Sequence, residues 1–164
     1  LFRSLIEFDA TKAVESDSAL SAETERAIAS ALNAASTGAS PLVYSAAGPD
    51  DTAVSNFRAA LSHSQMTNEE ANARIGKSLG DVLDRVLTNC AIPRAVVSGG
   101  DTSGHAMRAL GLEALVALAP TSPGAALCTG HGEGKHDGLQ IALKGGQMGS
   151  EDFFGWIRDG GGAR

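Results

Sequence analysis

The stretch AVVSGGDTSG, residues 95–104, decides the fold that we predict for this chain. An apolar run at residues 95–97 leads into two glycines, and a short helical pattern of apolar residues follows at positions 106–110. This order predicts a strand, a tight turn and a helix. Glycines allow positive φ and close backbone approach, and the first N–H groups of a helix have no intrahelical partner. The turn is therefore a candidate anion-binding site.

A second glycine-rich turn, KGGQMG at residues 144–149, follows another apolar run at residues 139–143. Both turns lie at the carboxyl ends of predicted strands, where open α/β sheets bind their ligands. If the two turns converge, their backbone groups form a phosphate nest with Lys144 near the negative charge. The two turns together are therefore predicted to line one site.

The residues of these turns leave alternatives open. Asp101 could bind the magnesium ion carried by a nucleotide, or Asp101 or Thr102 could simply cap the helix. If one of these residues only caps the helix, the first turn is no more than a tight connection between a strand and a helix.

The helix after the second turn, with a predicted cap at Ser150, carries carboxylates at 151–152 that complement its dipole. A phosphate contact at that turn should therefore come from the backbone of residues 145–146.

The rest of the chain alternates predicted strands and helices. Strands are expected at residues 1–8, 41–45 and 112–119, with 125–128 either a strand or an irregular segment before a loop at 129–138. Helices are expected between a Ser21 cap and Gly38 and between a Thr67 cap and Asn89, whereas 50–65 is predicted as a long loop with one helical turn at 54–61. This order predicts an α/β fold with a mainly parallel sheet and helices on both faces, in three layers.

Composition limits the classes of function. The chain has 164 residues, which suits one domain, and a net charge of −6, which argues against a non-specific nucleic-acid surface. Its two cysteines, Cys90 and Cys128, have no partner motif, so neither a disulfide framework nor a zinc site is indicated. No long apolar span or leader pattern is visible. We therefore expect a cytoplasmic protein without a nucleic-acid or membrane partner, and the initial Leu1 indicates a fragment.

Three other patterns have simpler explanations than a site. Residues 76–78, GKS, resemble the end of a P-loop, but Ala71 stands where that motif needs glycine, and the tripeptide lies in a helical pattern. Residues 131–137 carry histidines and carboxylates on a glycine-rich loop, whose flexible spacing disfavours a preformed metal site. The aromatic cluster at 153–156 is predicted to be core rather than a base-stacking platform.

Five motifs share their order and spacing with one protein family. They are AVVSGGDTSG (95–104), LGL (110–112), PG (123–124), ALKGGQMG (142–149) and EDFF (151–154). Together they resemble the C-terminal nucleotide-binding domain of the four-carbon acid sugar kinases, with good agreement over residues 67–159 and only a general likeness before them. The family often has Glu at position 101, Ser at 145 and Asn-Phe at 147–148. These departures keep the charge and the loop size.

The resemblance implies the ATP-binding domain of a kinase for an acid such as threonate, erythronate or 3-oxo-tetronate, with Mg2+ as a second cofactor and Asp101 supporting that ion. The resemblance and the predicted phosphate nest together predict that the following residues contact the nucleotide: Ser98, Gly99, Gly100, Asp101, Thr102, Ser103, Lys144, Gly145 and Gly146. Family members bind the sugar acid with an N-terminal domain, so we expect residues 1–164 to be a single nucleotide-binding domain that is inactive alone. The catalytic residues stay unidentified. A homo-oligomer, a non-catalytic nucleotide- or phosphate-binding module and a purely structural domain stay open.

Overall fold

Strands and helices alternate along the chain in this computed structural model, which describes residues 4–146 and 148–162. In chain order the elements are β1 (Ser4–Glu7), α1 (Lys12–Glu15), α2 (Asp17–Ser36), β2 (Pro41–Tyr44), α3 (Thr52–Ser62), α4 (Asn68–Asn89), β3 (Arg94–Ser98), α5 (Gly100–Leu110), β4 (Ala114–Pro120), β5 (Ala126–His131), β6 (Gln140–Lys144) and α6 (Phe153–Arg158). The predicted α/β class is therefore confirmed. The chain divides after Cys90 into two compact units, and its organisation as one domain stays a prediction.

The first unit is built on a parallel pair of strands. β1 and β2 pair in register from Ser4 opposite Pro41 to Glu7 opposite Tyr44, which confirms the first predicted strand for residues 4–7, whereas residues 1–3 lie outside the described part. α2 contacts both strands and α4, and its apolar residues recur every three or four positions, which places them on one face. The buried apolar side chains of this unit are Ile6, Phe8, Ala10, Ala13, Ala27, Ile28, Ala31, Ala34, Ala71, Ile75, Val82 and Val86.

The ends of the two long helices show which capping predictions hold. The Thr67 hydroxyl accepts a hydrogen bond from the Glu70 N–H at 3.2 Å, and the Glu70 carboxylate accepts one from the Thr67 N–H at 2.7 Å, which confirms the predicted capping box. The predicted Ser21 cap is wrong, because α2 begins five residues earlier. Its N-cap is Ser16, whose extended backbone lets its hydroxyl accept the Ala19 N–H at 3.0 Å.

The predicted loop at residues 50–65 is also wrong, because α3 occupies most of it. The Asp51 carboxylate caps this helix by accepting the Ala53 N–H at 3.0 Å, and it also accepts the Ala47 N–H at 2.7 Å. None of the side chains of α3 is buried. Val54, Phe57 and Leu61 recur at helical spacing and are partly buried, so the sequence carried a short apolar stripe as well as the capping aspartate, and the polar residues between them obscured it.

A buried carboxylate holds the segment that follows β1. The Glu23 side chain, 8% exposed, accepts hydrogen bonds from the Asp9 backbone N–H at 2.7 Å and from the Arg26 Nε and Nη2 atoms, both at 2.7 Å. Arg26 Nη2 also donates to the Glu7 carbonyl at the end of β1. Burial by itself raises the pKa of Glu23, but the bonds from Arg26 and Asp9 outweigh it, so the net pKa is lowered.

We expect Glu23→Gln to lower the free energy of unfolding by about 1 to 2 kcal/mol at neutral pH, because the neutral amide loses the charge-assisted bonds to Arg26. Since the folded pKa lies below the unfolded value of 4.5, this contribution is fully present above pH 4.5 and is lost as the pH falls through the folded pKa. Urea unfolding at neutral pH and in steps below pH 4.5 measures the difference. The control is Glu25→Gln, whose exposed ion pair with Arg85 at 3.6 Å should contribute less than about 0.5 kcal/mol. A loss for Glu23→Gln that is the same at every pH would contradict this account.

The second unit contains a four-stranded sheet in the order β3-β6-β5-β4. β3 and β6 are parallel, whereas β6 pairs antiparallel with β5, and β5 pairs antiparallel with β4. The prediction of a mainly parallel sheet is therefore wrong for the sheet described in this unit, which is mixed. β4 and β5 are joined by residues 121–125, a connection too short for the crossover that parallel strands need. The three-layer arrangement stays a prediction.

Two boundaries in this unit also differ from the predicted ones. The segment at 125–128 is a strand from Ala126 onward, and β5 continues to His131 into the region predicted as a loop. The predicted Ser150 cap is wrong, since α6 starts at Phe153 with Asp152 at its N-cap, and the Ser150 hydroxyl donates to the Asp152 carboxylate at 2.6 Å. The carboxylates at 151–152 therefore precede the helix rather than lie in its first turn.

The core of the second unit lies between its sheet and α6. Leu127, Ala142, Phe153 and Ile157 are buried together, and Val96, Ala119, Ala125 and Trp156 pack against them. The prediction that the aromatic cluster is core is confirmed for Phe153, which is 1% exposed. This packing fixes α6 beside the end of β6, where the second glycine-rich turn begins.

Candidate nucleotide site

The two glycine-rich turns start side by side at one edge of the sheet. β3 and β6 are parallel neighbours whose register ends with Ser98 opposite Lys144. The Gly99 N–H donates to the Lys144 carbonyl at 2.9 Å, which joins the first residue after β3 to the last residue of β6. The predicted convergence of the two turns is therefore confirmed.

The first turn is shorter than its sequence suggests, because α5 already begins at Gly100. Gly99 forms the whole connection and has φ 127° and ψ 132°, a conformation that favours glycine. Its carbonyl accepts the Ser103 N–H at 3.0 Å and the Ser103 hydroxyl at 2.7 Å. Asp101 and Thr102 therefore stand in the first helical turn, not in a loop.

The start of α5 leaves its first amide groups available. The N–H groups of Gly100, Asp101 and Thr102 have no hydrogen-bond partner within the described part of the chain, as expected for the first turn of a helix. Within the same residues the Asp101 carboxylate and the Thr102 hydroxyl form no hydrogen bond either, so neither caps the helix. The N-cap is Gly99, which has no side chain to offer. The edge of the sheet therefore presents three amide donors next to an exposed carboxylate.

Lys144 lies inside the second turn rather than at its surface. The residue is 8% exposed, and its Nζ donates to the carbonyl oxygens of Gly145 at 3.0 Å, Gly146 at 3.2 Å and Met148 at 2.7 Å. The rings of Phe153 and Phe154 lie 5.8 and 5.9 Å from Nζ, within the range of a cation–π contact. Burial lowers the pKa of Lys144. A direct contact of this ammonium with phosphate stays a prediction.

Open space borders both turns. A Cβ atom added at Gly100 or at Gly146 would meet nothing within 4 Å among the described residues. At Gly145 it would lie 3.1 Å from Met148 Cγ, a close approach that the turn itself imposes. Free amide donors at a helix N-terminus, with room in front of them, suit the oxygen atoms of a phosphate group. An exposed carboxylate such as Asp101 suits a hard cation such as Mg2+.

The other patterns singled out in the sequence belong to ordinary structure. Lys77, within the GKS tripeptide, lies in α4 and pairs with Asp81 at 2.6 Å. His131 Nδ1 lies 3.3 Å from the Asp137 carboxylate, which also accepts the Gly132 N–H at 3.2 Å. Across residues 4–146 and 148–162, no group of three or more histidine, cysteine, aspartate or glutamate side chains could hold a metal ion. The same residues contain no helix that is long and apolar enough to cross a membrane.

Comparison with protein families decides the assignment. The model of the nucleotide-binding C-terminal domain matches residues 2–154, nearly the whole chain. The chain belongs to this family, the C-terminal domain of the four-carbon acid sugar kinases. The resemblance found in the sequence is therefore confirmed.

Curated relatives of this nucleotide-binding domain are named as kinases. The chain is 44% identical over 140 residues to the 3-oxo-isoapionate kinase of Paraburkholderia graminis, covering 85% of this chain and 30% of the relative. It is 31% identical over 117 residues to the 3-oxo-tetronate kinase of Pseudomonas savastanoi pv. phaseolicola, covering 71% of this chain and 25% of that relative. The domain therefore spans less than a third of the length of either kinase.

A crystal structure of a Haemophilus influenzae protein has the same fold as the domain. The two superpose with a TM-score of 0.70 at 19% identity, over 97% of this chain and 35% of the other. At this level of identity the likeness concerns the fold alone.

The side chains that shape the second turn were not evident from the residue pattern. Met148 closes it, since its N–H donates to the Gly145 carbonyl at 3.1 Å and its carbonyl accepts from Lys144. Phe153 and Phe154, the first two residues of α6, flank the ammonium. The available signal was the pair of aromatic residues that follows the glycine turn within ten positions.

Proposed function

We propose that this domain is the ATP-binding part of a kinase that phosphorylates a four-carbon sugar acid or a close analogue. The observation that carries the proposal is the β3–β6 register, which brings the three unpaired N–H groups of α5 beside the second glycine turn. The names of the two relatives suggest 3-oxo-tetronate or 3-oxo-isoapionate as the acid. Threonate and erythronate belong to the same class of substrate.

The residues at the sheet edge fit the phosphates of ATP. The N–H groups of Gly100, Asp101 and Thr102 would bind phosphate oxygens, with Ser98, Gly99 and Ser103 shaping the turn around them. The backbone of Gly145 and Gly146 would contact the nucleotide from the other side. Asp101 would hold the magnesium ion, whose charge offsets the repulsion between its carboxylate and the phosphates. ATP supplies the phosphoryl group, and these residues bind and orient it.

The acceptor acid needs residues beyond this site. Phosphoryl transfer requires an acceptor hydroxyl held against the terminal phosphate, and the matched region covers only 30% and 25% of the two related kinases. We propose that the acid and the catalytic base are held mainly outside residues 1–164, so that these residues alone bind ATP and ADP without transferring phosphate. We also propose that the enzyme acts in the cytoplasm.

Calorimetric titration of ATP into the full chain, with and without Mg2+, tests the proposal. We expect ATP to bind and Mg2+ to strengthen the binding. Gly100→Val should weaken it by about tenfold or more, because the new side chain fills the space in front of the amide donors. A hydrogen bond from one such donor to a charged group contributes about 1.5 to 3 kcal/mol. The control is Gly104→Val, one turn further along α5, where a Cβ also meets nothing within 4 Å. It should bind as the unmodified chain does. Absence of ATP binding under both conditions, or equal effects of the two variants, would overturn the proposal.

A further inference from the structure

We infer that Lys144 is a positioning residue that orients the amide groups of the second turn toward phosphate instead of binding phosphate itself. The inference rests on the proposed function, since it concerns how the same site holds ATP. It assigns the ammonium to the inner side of the turn and the ligand to the outer side. The carbonyl contacts of Nζ are the observation that carries it.

The peptide geometry converts those contacts into a direction for the N–H groups. In a trans peptide unit the C=O and N–H bonds point in opposite directions, and the described residues contain no cis peptide bond. Because the carbonyls of Gly145 and Met148 point at the ammonium, the N–H groups of Gly146 and Gly149, in the same peptide units, point away from it. Both of these glycines are exposed. The turn therefore directs two amide donors outward.

The ammonium is fully engaged where it lies. A lysine side chain has three N–H hydrogens, and the carbonyls of Gly145, Gly146 and Met148 take up all three. To reach a phosphate, Nζ would have to leave these oxygens and the faces of Phe153 and Phe154. Three carbonyl dipoles that converge on one point repel one another, and a cation between them removes that repulsion. The charge thus stabilises an arrangement that the backbone alone would not adopt.

The backbone of Lys144 ties this arrangement to the first turn. Its carbonyl accepts the Gly99 N–H at 2.9 Å, immediately before the free donors of α5. One residue therefore fixes the second turn with its side chain and the first turn with its main chain. A phosphate group that contacts both turns would find donors whose positions are set by the same residue.

Nuclear magnetic resonance of the full chain tests the inference without any substitution. We expect the Lys144 ammonium to give a signal protected from exchange in the free protein and to keep its shift when MgATP is added, while the amide signals of Gly146 and Gly149 move. A Lys144 signal that arises only with MgATP, or that couples to 31P, would identify a direct ligand and overturn the inference. Amide signals that stay still while ATP binds would overturn it too, and would leave the proposed function intact.

A pair of substitutions at Gly146 isolates the N–H donor. The Met148-to-Gly145 hydrogen bond makes Gly146 the second residue of a β-turn, a position that proline favours, and its φ is not positive. Gly146→Pro removes the N–H group, whereas Gly146→Ala retains it and adds a methyl group in open space. We expect the proline variant to bind MgATP about tenfold more weakly than the alanine variant. Equal affinities of the two variants would contradict the inference. If the unmodified chain does not bind ATP at all, the proposed function is refuted instead.

Discussion

Lys144→Met is expected to lower the free energy of unfolding by about 2 kcal/mol, because it leaves inward-pointing carbonyls without a donor. The Gly145 carbonyl still accepts a hydrogen bond from the Met148 N–H. The carbonyls of Gly146 and Met148 lose their hydrogen bonds from Nζ, at 3.2 and 2.7 Å. Methionine has a similar length and packs well against aromatic rings, so the space beside Phe153 stays filled. The loss therefore measures the hydrogen bonds rather than a cavity. Urea unfolding at neutral pH gives the value.

Lys77→Met is the matched control for Lys144→Met. Its side chain is 74% exposed and pairs with Asp81 one helical turn away, at 2.6 Å. Such a surface pair contributes about 0.3 to 0.5 kcal/mol, so this variant should unfold close to the unmodified chain. A loss for Lys144→Met as small as that for Lys77→Met would show that water replaces the ammonium among the carbonyls at little cost.

The meeting of the two glycine turns could be predicted from sequence, because apolar runs that end in glycine place both turns at carboxyl ends of strands. The burial of Lys144 could not. Lysine usually keeps its ammonium in water, and a residue pattern does not record where a long flexible side chain ends. The residue pattern also left open whether α5 begins at Gly100 or a turn later. The positions of Asp101 and Thr102 in the helix could therefore not be predicted.

Strand direction was the other feature that periodicity could not supply. β4 and the first half of β5 are apolar runs, and such runs look alike in parallel and antiparallel pairs. The deciding fact is the short connection at residues 121–125, which contains Gly124 with φ 81° and permits only an antiparallel pair. In the first unit the residue pattern indicated a cap at Ser21, whereas the structure has the extended Ser16 at the N-cap of α2.

Gly99→Ala is expected to lower the free energy of unfolding by about 2 kcal/mol, because φ 127° is a conformation that side-chain-bearing residues rarely adopt. The added Cβ would also lie 3.1 Å from Thr102 Oγ1. Relaxing this strain means rotating Gly99, whose N–H binds Lys144 and whose carbonyl accepts the Ser103 N–H. The amide donors of α5 would then tilt away from the second turn, so ATP affinity should fall together with stability.

Gly100→Ala separates backbone strain at Gly99 from the mere presence of a methyl group in this turn. Gly100 is the first residue of α5, its φ is not positive, and its new Cβ would meet nothing within 4 Å. Alanine is favoured over glycine in a helix by about 0.5 to 1 kcal/mol, so this variant should be at least as stable as the unmodified chain. Urea unfolding of the two neighbouring variants makes the comparison. If Gly99→Ala unfolds at the same urea concentration as Gly100→Ala, the connection between β3 and α5 does not need a glycine, and the expected strain at position 99 is absent.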